Sequence, residues 1–245
     1  MKHKFIFNLF LLSALIIFMI TSCAGISRNR AGRSLQQDSS DNRPMIALTF
    51  DDGPSANMEY ILDILERHGA FATFFILGEQ AENRQDSILR AVRNGNEVAG
   101  HTWSHLLLTQ LSDQEIQNSI LSTSEVIEKI TGKPRLMFFR PPYGHVDRRV
   151  SNASAEIGFS MVNWNIDTQD WLLLDSDLIY DVVINDVKEG NIILLHEILT
   201  PTVRAMESLI PALINEGYRL VTISELLFNL YGELIPGKVY GSPGF

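Results

Sequence analysis

The sequence predicts a single α/β domain that folds as a distorted (β/α) barrel with about seven parallel strands. From Met45 onward, strand-like and helix-like segments alternate about seven times. The strand-like segments are apolar throughout, which is typical of parallel sheets covered by helices on both faces. Unusual polar residues follow several of these segments, at the end of the strands where barrel active sites are assembled. An open, doubly wound sheet is the alternative.

The individual elements follow from composition and periodicity. Short apolar or aromatic runs predict strands, and apolar residues at helical spacing predict helices. The predicted strands are Met45–Phe50, Phe71–Ile76, Asn96–Gly100, Leu136–Phe139, Phe159–Ile166, Ile192–Leu195 and Arg219–Ile223. The predicted helices are Met58–His68, Asp86–Arg93, Ser112–Ile130, Arg148–Ile157, Ser176–Lys188, Thr202–Glu216 and Ser224–Leu230.

Capping residues and glycines mark several helix ends. Ser112 and Glu115 form a capping box at the start of the third predicted helix, and Gly132 and Pro134 end it. Gly69 is expected to end the first helix in the same way. These signals place helix boundaries more firmly than periodicity alone.

The composition suits one large globular domain and argues against nucleic acid as a partner. The chain has 245 residues, of which 45% are hydrophobic, so it can bury a full core. Its formal net charge is -9 and its basic residues are not clustered, whereas phosphate contacts require a basic face. The sequence leaves the oligomeric state open.

The N-terminus is predicted to be a targeting segment outside the fold. Lys2 and Lys4 precede an apolar run over 5–20, which is shorter than the roughly 20 residues of a bilayer span and suits a signal peptide. The stretch around Cys23 resembles a bacterial lipobox, so we expect cleavage after residue 22 and a lipid on Cys23. A signal peptide without lipidation and an uncleaved anchor are the alternatives, and each places the domain outside the cytoplasm.

The remaining boundaries follow from this prediction. Residues 23–43 are rich in Ser, Arg, Gln and Asn and would tether an extracytoplasmic domain to a bacterial membrane. The catalytic domain is predicted over 44–233, and 234–245, with several Pro and Gly, is predicted to be a C-terminal tail. Because Cys23 is the only cysteine, no disulfide is expected.

Two carboxylates and two imidazoles predict a metal site. Asp51 and Asp52 adjoin at the end of the first strand, where their repulsion is tolerable if a metal neutralises one and the other accepts a proton. A simple turn after the strand is the alternative. His101 and His105 follow another strand, and this spacing on a helical turn would bring both rings to one metal. With Asp52 they predict a site that keeps positions open for water and substrate.

Further polar residues are expected at the same edge of the barrel. Arg140 near Asp51 would hold that carboxylate ionised and aimed, and the turn after Arg140 would direct a backbone N–H into the site. His196 would protonate a leaving amine, and Asp170 would raise its pKa. Trp171 is either a core residue or a surface on which a sugar ring stacks. The alternatives are that Arg140 lies on the surface in a proline-rich loop and that His196 is a structural residue whose hydrogen bonds are satisfied at the end of its strand.

The order and content of these motifs resemble the polysaccharide deacetylase family, carbohydrate esterase family 4. The resemblance runs from about Met45 to Leu230, and five motifs carry it: Thr49–Pro54, His101–His105, Arg140–Gly144, Asp170–Trp171 and Leu194–His196. The roles that it implies are general base for Asp51; metal ligands for Asp52, His101 and His105; orientation of the base for Arg140; oxyanion binding for the Tyr143 N–H; tuning of the acid for Asp170; general acid for His196; and substrate contact for Pro141, Trp171 and Leu194.

The resemblance also implies a reaction. A divalent metal, expected to be zinc, with cobalt or another divalent ion as alternatives, would promote hydrolysis of N-acetyl groups on N-acetylglucosamine units of peptidoglycan, chitooligosaccharide or an exopolysaccharide. A metal-dependent amidase for a small non-sugar amide and a catalytically silent glycan-binding lipoprotein are the other hypotheses. Glu197 departs from the family pattern, in which Asp is usual at this position, and we expect modest effects on orientation.

Overall fold

The computed structural model describes residues 41–241. Residues 1–40, which include the predicted leader, Cys23 and most of the tether, lie outside the described residues. The signal peptide, the lipid and the tether therefore stay predictions. None of the helices within 41–241 combines the length and the apolar character that a membrane crossing requires.

Parallel strands form one curved sheet covered by helices, which confirms the predicted (β/α) barrel. The strands are β1 Met45–Gly53, β2 Ala72–Ile76, β3 Glu97–Gly100, β4 Phe138–Phe139, β5 Ser160–Val162, β6 Ile166–Asp167, β7 Ile192–His196, β8 Arg219–Leu220 and β9 Val239–Tyr240. Their order is β6-β7-β1-β2-β3-β4-β5-β9, with β8 paired to β1, and every pairing is parallel.

Helices follow most of the strands, and the longer ones other than α9 pack on the outside of the sheet. They are α1 Asn57–His68, α2 Gly78–Ala81, α3 Gln85–Arg93, α4 Asp113–Thr131, α5 Arg148–Glu156, α6 Asp170–Leu173, α7 Ser176–Asp186, α8 Thr200–Asn215 and α9 Ile223–Tyr231. The predicted end signals are confirmed: Ser112 and Glu115 form the capping box of α4, and left-handed Gly69 and Gly132 end α1 and α4.

The last third of the barrel differs from the prediction. The single strand expected over 159–166 is two strands, β5 and β6, separated by residues 163–165. The segment predicted as a tail contains β9, which pairs with β5. The linker between β5 and β6 spans the gap between the sheet's two ends, because Asn163 N–H donates to Tyr240 O (2.8 Å) and Asn165 N–H donates to Ile192 O (2.9 Å).

Alternation along β1 separates the two layers of the core. Ile46, Leu48 and Phe50 pack outward against the helices, whereas Met45 and Ala47 pack inside the barrel. Successive side chains of a strand point to opposite faces. Thr49 and Asp51 therefore continue the interior face toward the carboxyl end of the strand.

Helix α9 closes the opposite end of the barrel. Ile223 and Leu226 pack against the interior core beside β1. The first N–H groups of α9 are satisfied by side chains of the sheet: Ile223 N–H donates to Thr73 Oγ1 (2.9 Å) and Ser224 N–H donates to Glu97 Oε2 (3.1 Å). The end of the barrel that holds the predicted site is thus the end that α9 leaves open.

Candidate active site

Strand β1 delivers Asp51 and Asp52 to the open end of the barrel. The Cα of Asp51 is in register with that of His196 on β7. In a regular strand the next side chain would point to the other face, but Asp52 has a left-handed backbone, with φ of 69°. Both carboxylates consequently lie near one imidazole: Asp51 Oδ2 and Asp52 Oδ1 are each 3.6 Å from His101 Nε2.

Arg140 is fully buried and holds Asp51 in place. Its Nη1 donates to Asp51 Oδ1 (2.7 Å) and to Thr49 Oγ1 (2.8 Å). Its Nε donates to Val162 O and its Nη2 to Asn163 O, each at 3.0 Å. Burial raises the pKa of Asp51, although the charge and hydrogen bond of Arg140 act against that shift. The result is an aimed carboxylate that is more basic than an exposed one.

His101 and His105 meet through a loop, so the predicted helical turn is wrong. The loop follows β3, and both Thr102 (φ 67°) and His105 (φ 57°) have left-handed backbones. These two residues turn the chain so that the imidazole centroids lie 4.9 Å apart. The Nδ1–H of His101 donates to Arg140 O (2.8 Å), which leaves the lone pair of Nε2 facing the carboxylates.

Asp52, His101 and His105 fit a divalent metal ion. One potential ligand atom from each lies within 4.8 Å of the others. Asp52 Oδ1 is buried and makes no hydrogen bond to the residues described here, which suits an atom reserved for a ligand. Burial lowers the pKa of His101 to about 3, so its imidazole is in the neutral form that binds metals. Two nitrogens and one oxygen suit zinc and several other divalent ions.

His196 and Asp170 form a second polar unit at the same end. Asp170, fully buried at the start of α6, accepts from His196 Nδ1 (2.7 Å), His196 N–H (2.7 Å) and Thr202 Oγ1 (2.6 Å). Burial alone would lower the pKa of His196, but the hydrogen bond and charge of Asp170, with the charges of Asp51 and Asp52, raise it to about 9. Nε2 of His196 therefore carries a proton at neutral pH.

The residue predicted to bind the oxyanion and those predicted to contact the substrate have different surroundings. Tyr143 is 58% exposed, its ring packs edge-on to His105 (4.7 Å between centroids), and its backbone N–H makes no hydrogen bond among residues 41–241. Trp171 is 56% exposed, which contradicts the core alternative for it. Leu194 and Pro141 are buried, and Leu194 is two residues before His196 on the same face of β7.

A groove of about 440 Å³ begins at the metal-ligand cluster. It is lined by Asp52, Pro54, Ser55, Leu77, Gln80, His105 and Ile198. Its walls combine aliphatic and polar groups, as expected of a site that fixes a polar ligand against apolar surface.

The sequence prediction gave no role to two residues, Thr49 and Thr202, that support the site. Thr49 accepts from Arg140 and donates to Ile193 O (2.7 Å), and Thr202 donates to Asp170. Thr49 stands two residues before Asp51 on the interior face, so strand alternation alone could have predicted that its side chain lies near Asp51. Thr202 carries no such signal, because only the packing of α8 brings it to Asp170.

A family model described as polysaccharide deacetylase matches residues 38–162. The peptidoglycan-N-acetylmuramic acid deacetylase PdaC of Bacillus subtilis is 39% identical over 187 residues, covering 76% of this chain and 39% of that protein. A peptidoglycan-N-acetylglucosamine deacetylase of Bacillus cereus is 35% identical over 193 residues, covering 76% of this chain and 90% of that protein.

Solved structures share the fold. PdaC from Bacillus subtilis superposes with a TM-score of 0.72 at 38% identity, covering 76% of this chain and 91% of that chain. A carbohydrate esterase family 4 pseudoenzyme from Bacillus anthracis has a TM-score of 0.70 at 28% identity, covering 76% and 66% of the two chains. Since a pseudoenzyme shares this fold, activity depends on the residues of the site and not on the fold alone.

Proposed function

The chain belongs to the polysaccharide deacetylase family, and from this membership we propose that it hydrolyses the N-acetyl groups of N-acetylglucosamine units in a polysaccharide, releasing acetate. Peptidoglycan, chitooligosaccharide and exopolysaccharide are the candidate polymers. Relatives whose names specify peptidoglycan or chitooligosaccharide support the first two.

One observation carries the proposal. The described site holds a complete set of groups for amide hydrolysis: a metal-binding triad, a carboxylate positioned by Arg140, and an imidazole that Asp170 keeps protonated. A protein that only binds glycans needs neither the base Asp51 nor the acid His196. Their joint presence beside the metal-binding triad therefore favours catalysis over silent binding.

The residues of the site can perform each proton transfer. When bound by Asp52, His101 and His105, a divalent ion, zinc or another such as cobalt, would supply Lewis acidity that polarises the acetyl carbonyl and acidifies water. Asp51 accepts the proton of the attacking water, with its free Oδ2 on the side of the triad. The unpaired Tyr143 N–H donates to the developing oxyanion.

His196 completes the reaction. It gives its Nε2 proton to the amine nitrogen as the carbon–nitrogen bond breaks, so that acetate and a free amino sugar leave. Asp170 holds the imidazole through Nδ1 and stabilises the cation before transfer. The exposed Trp171 indole stands directly after Asp170 and offers a flat face for a sugar ring.

Acetate release tests the proposal directly. We would incubate the purified protein with N-acetylglucosamine oligomers and with peptidoglycan, first with zinc supplied and then with a chelator. Acetate that appears only with metal is the expected result. A panel of small ring amides would identify an amidase instead, and zinc binding without any acetate would identify a silent binder.

We further propose that the protein is extracytoplasmic and is anchored to a bacterial membrane by a lipid on Cys23. The support is the sequence alone: a short basic region, an apolar run and a lipobox-like stretch. In a bacterial expression host, the full chain should partition with membranes, and Cys23→Ser should release it to the soluble fraction. Membrane association that survives Cys23→Ser would contradict the lipid and favour an uncleaved anchor.

A further inference from the structure

Glu197, which follows His196, is a fully buried carboxyl group with no role in the reaction described above. Its Oε1 accepts the backbone N–H of Ser55, on the loop that leaves β1. Its Oε2 is buried and has no hydrogen-bond partner among the residues described. Burial raises the pKa of Glu197 to about 7. A buried acid at such a position requires a structural or functional explanation.

The side chain of Glu197 lies directly over Gly53. A Cβ added to Gly53 would stand 2.4 Å from Glu197 Cδ and 2.5 Å from its Oε1. Any residue with a Cβ at position 53 would therefore displace the carboxyl group of Glu197 from this position. The backbone of Glu197 contacts the same segment, since its N–H donates to Asp51 O (3.3 Å).

The segment that Glu197 holds contains the metal ligand and the base. It runs from Asp51 to Ser55, and Asp52 within it has the left-handed backbone that turns its carboxylate toward His101 and His105. A non-glycine residue persists in that conformation only where its surroundings fix it. On the far side of the segment, Leu77 N–H donates to Gly53 O (2.8 Å), so the turn is fastened from two directions.

We propose that Glu197 is a positioning residue, whose carboxyl oxygen fixes the turn 51–55 through Ser55 N–H and thereby aims Asp52 at the metal and Asp51 at the attacking water. This inference rests on the proposed function for its kinetic consequence only. Glu197 is not part of the candidate ligand cluster of the described chain, which consists of Asp52, His101 and His105.

The length of the side chain is part of the inference. Aspartate would withdraw the carboxyl group by one methylene, roughly 1.5 Å, which exceeds the tolerance of a hydrogen bond. Glu197→Asp should therefore impair this chain, although the substitution restores the residue usual in the family. Glutamine has the length of glutamate and retains an oxygen that can accept from Ser55.

The experiment compares three variants of the full chain: Glu197→Met, Glu197→Asp and Glu197→Gln. Zinc affinity is measured without substrate, by competition with a chromogenic chelator, and kcat and KM are measured by acetate release. We expect Glu197→Met to weaken zinc binding about 10- to 100-fold and to lower kcat with little change in KM. Glu197→Asp should lower zinc affinity and kcat about tenfold each. Glu197→Gln should keep both within about threefold of the parent.

Glu97 provides a matched control at the closed end of the barrel. It is another mostly buried glutamate that accepts a backbone N–H, that of Ser224, and burial raises its pKa also. Glu97→Met should lower the urea midpoint while leaving zinc affinity and kcat unchanged. If Glu197 mattered only for packing, Glu197→Met would likewise lower the urea midpoint and leave zinc affinity and kcat unchanged.

Two outcomes would overturn the proposal. Folded Glu197→Met with the parent's zinc affinity would show that the turn keeps its geometry unaided. Equal losses in Glu197→Gln and Glu197→Met would show that charge, and not the acceptor oxygen, is what matters. If Glu197→Met does not fold, the zinc affinity of Glu197→Asp tests the proposal, and a value equal to that of the parent would overturn it. The zinc measurement is independent of deacetylation, so it stands even if acetate is never released.

Discussion

Asp51 and Asp52 have the same side chain and adjacent positions, yet their surroundings prepare them for different tasks. Asp51 is buried and pairs with the guanidinium of Arg140, whereas Asp52 is partly exposed and faces two imidazoles. The left-handed backbone of Asp52 is what lets both side chains serve one site. Substitutions at the two positions should accordingly separate metal binding from proton transfer.

We expect Asp52→Asn to weaken zinc binding at least about 100-fold, because the triad loses its only anionic ligand. Asp51→Asn should keep zinc affinity within several-fold of the parent but lower kcat about 100- to 10,000-fold, because the base is lost. Isothermal titration with zinc and acetate release measure the two effects. Unchanged zinc binding and unchanged deacetylation in Asp52→Asn would refute the metal assignment.

The pH dependence of kcat should report His196. Its pKa is raised to about 9, so the acid is protonated below that pH and activity should decline as pH rises through about 9. In Asp170→Asn, the carboxylate that counteracts the effect of burial on the pKa of His196 is gone. The alkaline limb of the kcat profile should therefore move down by at least about one pH unit. The value of kcat should also fall about 100-fold or more, because the imidazole loses its orientation.

The measurement is a full pH profile of kcat for the parent protein and for Asp170→Asn. Thr202→Val is the graded control, because it removes one hydrogen bond to Asp170 while keeping the carboxylate. Its alkaline limb should move less than that of Asp170→Asn. An alkaline limb that stays in place in Asp170→Asn would mean that a group other than His196 governs it.

At the scale of elements, a short helix supports the loop that carries the imidazoles. The N–H groups of Gly78 and Glu79, at the start of α2, donate to Thr102 O and Trp103 O, each at 3.0 Å. Trp103 N–H in turn donates to Ser119 Oγ on α4 (2.9 Å). The loop is thus held by two helices, although it has no regular structure of its own.

Gly78→Ala should disturb that support. Its new Cβ would meet Trp103 Cε3 at 2.5 Å and Thr123 Oγ1 at 2.7 Å. We expect the free energy of unfolding to fall by about 1–3 kcal/mol and zinc affinity to fall about tenfold. Urea denaturation and zinc titration measure the two effects.

Gly69→Ala is the control for Gly78→Ala. Gly69 ends α1 in a left-handed conformation, with no atom within 4 Å of an added Cβ. Its substitution should cost about 1 kcal/mol of stability through backbone strain alone, with zinc affinity unchanged. If both alanine variants weakened zinc binding equally, the support by α2 would not be specific.

At the scale of the whole molecule, the barrel depends on a strand that the sequence did not reveal. Tyr240 on β9 is buried, and its carbonyl accepts from Asn163 N–H. The carbonyl of Asn163 accepts from Arg140 Nη2. The C-terminal strand is therefore connected to the group that aims Asp51.

Tyr240→Ala should lower the free energy of unfolding by about 3–5 kcal/mol, as is usual for a buried aromatic residue. Tyr60→Ala is the matched control, because Tyr60 is 62% exposed, and its effect should stay within about 0.5 kcal/mol. Urea denaturation followed by circular dichroism measures both. A loss in Tyr240→Ala as small as that in Tyr60→Ala would mean that β9 contributes little.

The fold and most of the site could be predicted because they depend on local patterns. Apolar strands that end in acids, His or Arg specify both the barrel and the edge where its polar residues meet. The backbone of Asp52 and the loop of His101 could not be predicted, because left-handed angles at non-glycine residues are imposed by tertiary contacts. Likewise β9 is two residues long and finds its place only when β5 is present to pair with it.

Strand β1 gives the molecule a direction. It starts at Met45, at the end that α9 closes, and reaches Asp51 about 20 Å later. Met45 therefore lies at the opposite end of the barrel from the groove. A long polymer bound along the groove would therefore lie about one strand length away from the first residues of β1, and a label placed on those residues would not obstruct it.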